Sequence, residues 1–473
     1  MKRSTDQESA KRCVDGHFRS VIPSAPLAAQ IQPTRLSYHV GFKRTTYTMR
    51  SSRSMKLLAG FALVLSATHH TYEEAVRILA PPNTSASPRF TGTSNGNLSG
   101  ATNVSKVNVH TMLYAGHTTK ILAHYLPWWG PTPRGIEAHY RSDDTAQATR
   151  TFSDMRSRGI DGLVVDWYGR GHFTDTAWQA SMPVLTQFPD LTFSIMMDSG
   201  TYRWNRCPGC DVTQTIIYQL DYISRTYLSS RQYLRYLGRP IVFEFGFETV
   251  GKADWDRIQS AYPQISWIHI HKRGFDQDRS GGAFLWIDPP QYPTRNPSID
   301  LSQSVSFYRY AHTEAVKVAV GAVAKGFDDS LAPWAKDQPR YIPQSCGATW
   351  LDTFKAINDN FSATKQLPFL QLITWNDYEE GTALESGIDN CANLSAHVDG
   401  HALIIQLTHS STIDHLELYR EGTNHTFRLL SEYPPQTSTI QLGTHDSGIF
   451  FVKAVGKPFF KNILSRPIAF EAN

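Results

Sequence analysis

The chain has 473 residues, 41% of them apolar and 12% aromatic, which leaves room for a large domain and a smaller one and excludes a disordered chain. Its net charge of +4 sits in the first 54 residues, where ten Lys and Arg face three Asp and Glu; the remainder carries 36 against 39. Outside that leader no basic stripe is interleaved with aromatics, so nucleic-acid binding is not expected.

In chain order, Met55-Lys56 follows Arg50 and Arg53, and Leu57 to Leu65 is an apolar run ending in the small residues Ser66 and Ala67. This reads as a signal peptide over 55–67, with 1–54 an over-extended start or a short transit segment. No later stretch is long and apolar enough to span a bilayer, so a secreted or periplasmic protein, free of the membrane after signal removal, is expected. Beyond the leader, four cysteines remain. Cys207-Pro-Gly-Cys210 suggests a local disulfide loop and Cys346 with Cys391 a long-range bridge; a zinc site built from all four is the alternative. Residues 68–115, rich in Thr, Ser, Asn and Pro, read as a linker or mobile lead-in.

From Ile121 apolar strands alternate with amphipathic helices. Strands are expected at 121–126, 162–167, 191–198, 240–245, 265–271, 283–288, 316–323 and 369–375. Helices are expected at 144–158 (capped by Asp143), 174–187, 213–236, 254–262, 301–314 and 350–361. Only a dozen residues separate strands five and six, too few for a full crossover helix. Eight strands with intervening helices fit a (β/α)8 TIM barrel over 116–390, whose site lies at the carboxyl ends of the strands. After residue 390 the runs 402–407, 413–419, 427–432, 439–442 and 448–455 alternate with a period of two, as in a β-sandwich of fibronectin type III kind over 391–473. That appendage either binds glycan or only packs on the barrel, and packing is expected because its sequence shows no aromatic platform.

The strand ends carry acids and aromatics: His124, Tyr125, Trp128 and Trp129; Asp166, Trp167 and Tyr168; Asp198; Glu244; His271; Trp286 and Asp288; Trp375, Asn376, Asp377 and Glu380. Aromatic faces stack on the C–H surfaces of sugars while acids bond hydroxyls, so a polysaccharide or oligosaccharide is the expected partner. In strand eight, alternation places Gln371, Ile373, Trp375 and Asp377 on the inner face. A turn then returns Glu380 beside Asp377, and an apolar wall of Trp375 or Trp167 favours a protonated acid. Paired carboxylates suit acid–base cleavage of a glycosidic bond. Acids after a strand also cap helices or face water, which is the alternative for this pair.

Trp375-Asn-Asp-Tyr-Glu-Glu-Gly-Thr382 resembles the Trp-Asn-Asp-aromatic-Gly-Glu motif of glycoside hydrolase family 71. It also resembles the Trp-Asn-Glu-Trp-x-Glu-Gly-Thr motif of family 99. His124-Tyr-Leu-Pro-Trp-Trp129 is similar to the first-strand motif of family 99, and Ile160-Asp-Gly-Leu-Val-Val-Asp166 to a segment of family 71. Glu379 stands where family 71 has Gly, and Asp377 where family 99 has Glu. The resemblance implies a barrel glycosidase with Asp377 and Glu380 as the catalytic pair, Glu379 left as their solvent-facing neighbour and Asp166 as a supporting acid, without a cofactor. Family 71 implies inverting endo-hydrolysis of α-glucan; family 99 implies retaining cleavage of α-mannosides. The shorter Asp377 leaves room for a water and favours inversion. Two other readings stand beside this one: a metal-dependent barrel hydrolase using Trp267-Ile-His269-Ile-His271, and a glycan-binding protein without catalysis. The protein is expected to act as a monomer.

Overall fold

The computed structural model of the chain describes residues 89–91 and 103–472, apart from 133–135, 137, 292–297, 315 and 424–425. The expected signal peptide and everything before it lie outside the described residues. Eight parallel strands pair in a closed ring: β1 (Lys120–Tyr125), β2 (Gly162–Trp167), β3 (Thr192–Asp198), β4 (Arg239–Phe245), β5 (Ser266–Ile270), β6 (Gly282–Phe284), β7 (Val318–Ala324) and β8 (Phe369–Ile373). Pairing of β8 with β1 closes a (β/α)8 barrel, with Phe369 opposite Lys120 and Leu372 opposite Ala123.

Each strand sends an apolar side chain inward. Leu122, Val164, Met196, Phe243, Ile268, Phe284, Val320 and Phe369 form a packed plug rather than a pore. The opposite faces pack on helices in a second core. Helix α1 (Thr145–Ser157) shows how: Ala148, Thr151, Phe152 and Met155 recur at helical spacing on its buried face. Its cap is Asp144, which accepts from the Ala146 amide at 2.9 Å, whereas Asp143 pairs with Arg141. Helices α2 (Phe173–Leu185), α3 (Gly200–Asn205) and α4 (Val212–Thr226) follow.

The helix expected over 213–236 stops at Thr226. The chain then turns through Leu237 and Gly238, both at positive φ, so that Arg235–Tyr236 pairs antiparallel with β4. Helix α5 (Trp255–Ala261) precedes β5, and the short β5-to-β6 connection holds only α6 (Arg273–Asp276). Gly274 permits this close pass, since a Cβ there would meet the Gly282 carbonyl oxygen at 2.2 Å. Helices α7 (Ser302–Ala311) and α8 (Ala348–Asn358) complete the ring.

The C-terminal region forms two sheets. One is β9 (Leu394–Asp399), β10 (Ala402–Leu407) and β13 (Thr439–Gln441). The other is built on β11 (Ile413–Glu421), β12 (Thr426–Tyr433), β14 (Gly448–Gly456), β15 (Ile463–Leu464) and β16 (Ile468–Phe470). Leu403, Ile405 and Ile440 of the first meet Leu416, Phe450 and Val452 of the second in one core, which makes a β-sandwich. Its 457–462 loop enters the barrel's outer core, where Phe459 packs on Trp350 and Trp375 at 5.6 and 6.3 Å. The lead-in is not loose from Asn103 onward. Val104 and Val109 are fully buried, Ser105 donates its amide to Phe460, and Asn103 and Asn462 bond each other. Single apolar residues among polar ones leave no period to read, yet they strap barrel and sandwich together. Both expected disulfides are present, each with a Cα separation of 5.3 Å. Among the described residues, no helix is long and apolar enough to cross a membrane.

Candidate active site

Two residues beyond the inner plug, alternation brings a second inward level to the carboxyl mouth of the barrel. His124, Asp166, Asp198, Phe245, Trp286 and Gln371 occupy it. Gln371 bonds His124 Nδ1 at 3.0 Å, and Trp286 packs edge-on against both His124 and Phe245, at 4.9 and 5.1 Å. Burial drives the His124 pKa down to about 3, so this imidazole is neutral.

At the end of β8 the chain makes the expected turn. The Asp377 amide donates to Thr374 Oγ1 and its Oδ1 accepts the Glu380 amide, both at 2.9 Å, while Thr382 and Ala383 donate back to its carbonyl. Gly381, at φ 63, supplies the left-handed residue that this return requires. Glu380 is thereby fixed beside Asp377. Burial raises the Glu380 pKa well above the usual carboxylate range, helped by the Asp377 charge and opposed by Arg340, whose Nη2 lies 3.6 Å from Glu380 Oε1.

Asp166, on the other side of β1, is raised by burial and then by the charges of Asp198, Asp377 and Glu380. Its Oδ1 is buried and has no hydrogen-bond partner among the described residues. Asp198, whose Oδ1 accepts the Gly200 amide at 2.5 Å, is pushed up to about 7 by burial. Four acids from β2, β3 and β8 therefore share a desolvated patch in which full ionisation is disfavoured, an arrangement suited to proton transfer near neutral pH.

Several expected site residues face the other way. Tyr125, Trp167 and Trp375 are buried in the outer core; Trp167 bonds Asp175 at 2.8 Å and stacks on Tyr222, and Trp375 meets Phe459. The inner-face alternation of β8 therefore ends before Trp375, and burial rather than a Trp375 or Trp167 wall raises the Glu380 pKa. Trp129 and Asn376 are also buried. Asn376 clamps the Leu126 backbone through Oδ1 and Nδ2 at 2.9 and 3.0 Å, and its carbonyl accepts Trp129 Nε1 at 3.1 Å. Glu379, expected in solvent, is buried.

Trp267 and His269 also point outward, against Trp255 of α5, because Ile268 and Ile270 take the inner face of β5. His269 Nδ1 lies 3.2 Å from Glu244 Oε1, which Arg273 also contacts. Burial opposes ionisation of Glu244, yet His269 and Arg273 together hold its pKa below normal. Glu244 is therefore a structural acid behind the barrel wall. His271, past the end of β5, is half-buried with its pKa lowered by burial, and Asp288 is exposed. Trp128 and Tyr168 reach the rim, partly exposed.

The structure adds residues the sequence did not mark. Arg340 lies in an aperiodic loop after β7, where its amide and Nε bind Asp329 at 2.5 and 2.8 Å. Glu385 accepts from Tyr140 and Tyr378 at 2.7 and 2.9 Å, and burial pushes it up to about 7. Its place just after the strand-eight motif was the one available signal. Lys325, also buried, donates to the Ala383 and Gly387 carbonyls at 2.5 and 3.1 Å and so ties the end of β7 to that segment.

No family model matches the sequence, and no curated relative matches it. Among solved structures, the chain is similar to the GH99 endo-alpha-mannosidase from Bacteroides thetaiotaomicron. The identity is 14% and the TM-score 0.43, over 56% of this chain and 87% of that one. A structure of that enzyme with BIS-TRIS-Propane gives 16% and 0.43, over 56% and 86%. A glycoside hydrolase-like protein gives 12% and 0.40, over 64% and 90%.

Proposed function

We propose that the chain is a glycoside hydrolase that cleaves internal α-linkages of a polysaccharide or oligosaccharide with inversion. The observation that carries this reading is the group of buried Asp166 and Asp377 with the largely buried Glu380, whose charges disfavour one another at the mouth of a barrel lined by His124 and Trp286. Glu380, raised by burial and by Asp377, is the general acid. It gives its proton to the glycosidic oxygen as the bond from that oxygen to the anomeric carbon breaks. A water attacks the anomeric carbon from the opposite face and passes its proton to the ionised form of Asp166, which its raised pKa makes the stronger base and which stands on β2 across β1 from Glu380. Both groups return to their starting states by exchange with solvent. Asp377, whose carboxylate holds the Glu380 amide, keeps the acid in place and keeps it protonated.

The His-x-His spacing of β5 does not favour the metal-dependent alternative, because His269 faces Glu244 and Trp255 behind the wall. Purified protein is to be assayed for new reducing ends on α-glucans and α-mannans, with the double variant Asp377→Asn, Glu380→Gln as control. Release by the native protein alone is expected, and NMR of the first-formed sugar is expected to show the inverted anomer. Retained configuration overturns inversion in favour of participation by the sugar's 2-hydroxyl. No release from any substrate, with binding intact, makes the protein a glycan-binding one.

A further inference from the structure

Of the eleven tryptophans, all among the described residues, only Trp204 and Trp334 are strongly exposed, at 61% and 52%. A lone exposed aromatic is ordinary. These two are not scattered, because each lies on a carboxyl-end loop and each rests on an aromatic of the rim. Trp204, in the helix after β3, stacks on His172 with centroids 6.0 Å apart and planes 18° apart, and lies 5.2 Å from Tyr168. Trp334, in the loop after β7, lies 6.4 Å from Trp128, which follows β1.

Both rings stand on rigid supports. The Trp204 ring covers Gly200, where a Cβ would meet its Cζ3 at 2.4 Å and Asp198 Oδ1 at 3.0 Å, so the ring adjoins the Asp198 carboxyl. Asn205 Nδ2, one residue on, bonds the Tyr168 carbonyl at 2.5 Å. The Trp334 loop is closed by the Asp329–Arg340 pair, and Arg340 in turn reaches Glu380. An exposed apolar face that is already fixed binds without the ordering cost of a mobile one, and an indole beside a carboxyl is the chemistry of a pyranose subsite.

Around the barrel the strands run β7, β8, β1, β2, β3. Asp377 and Glu380 follow β8, Asp166 lies near the end of β2 and Asp198 ends β3, and the two exposed rings come from the loops after β7 and β3, at either end of this run. We infer that Trp204 and Trp334 are outer sugar platforms flanking the acid group, so that an α-linked hexose chain lies across the acids with sugars bound on both sides of the cut. This rests on the hydrolase reading for the cut, but not for the binding. A chain held at both ends is cleaved internally, and affinity rises with chain length until both platforms are filled.

The test uses full-length protein carrying Asp377→Asn and Glu380→Gln, so that the ligand is not consumed. It is titrated calorimetrically with α-gluco- and α-manno-oligosaccharides from disaccharide to octasaccharide. Adding Trp204→Ala or Trp334→Ala is expected to weaken octasaccharide binding about tenfold each and disaccharide binding by less than about twofold. In otherwise native protein, the two substitutions are expected to move the cut of an end-labelled octasaccharide in opposite directions. Octasaccharide affinity unchanged by either substitution overturns the inference, as does the absence of binding in both series. If native protein releases no product while both substitutions still cost length-dependent affinity, the platforms stand and the hydrolase reading falls.

Discussion

Two carboxylates of the barrel, the fully buried Glu244 and the largely buried Glu380, differ most in the charges around them. Glu244 leaves β4 on the outer face, where His269 and Arg273 compensate its burial, and its pKa falls. Glu380 follows β8 on the inner side, where burial and the charges of Asp377, Asp329 and Glu379 outweigh one arginine at 3.6 Å, and its pKa rises. An acid with its counter-charge in place holds structure together. An acid crowded by its own kind holds a proton that it can give away.

The strongest test of this contrast is turnover. Glu380→Gln and Asp377→Asn are each expected to lower it by at least about a hundredfold while sugar binding persists. Glu244→Gln should act on stability instead, lowering it by about 2 kcal/mol in denaturant titrations, because His269 and Arg273 lose their shared carboxylate. A Glu244→Gln protein that folds with native stability but fails in catalysis would break the comparison.

Dependence on pH separates the two sectors by sign. Asp198 is raised from 3.8 to about 7, so the stability it contributes is full below 3.8 and lost as pH rises towards 7. The melting temperature of Asp198→Asn relative to the native chain should therefore climb across that window. Glu244 is lowered from 4.5, so its contribution is present above 4.5 and lost as pH falls through the depressed folded-state value. The deficit of Glu244→Gln should shrink on acidification. Parallel trends in the two variants would refute the electrostatic account.

The smallest expected effect sharpens the picture at Glu380. Arg340→Gln removes a charge that favours the ionised acid, so the alkaline limb of the pH–rate profile should move to higher pH, and Arg340→Lys should restore part of it.

The sequence by itself determined the barrel, because parallel strands buried on both faces are short apolar runs and these began and ended within a few residues of the expected places. It also determined the turn that sets Glu380 three residues after Asp377, and both cysteine pairs. Only the tertiary structure decided which face of each strand looks inward. In Gly162-Leu-Val-Val-Asp-Trp167 every residue is buried, so alternation defines two faces without saying which one is the inside. Asp166 fell on the inner face and Trp167 on the outer, and the same ambiguity sent Tyr125, Glu244, Trp267 and His269 behind the wall. Arg340 and Trp334 were out of reach for a different reason. Their loop has no period, and its place over the acids is set by the pairing of Arg340 with Asp329 and Glu380, contacts between residues 11 and 40 positions apart that spacing along the chain does not encode.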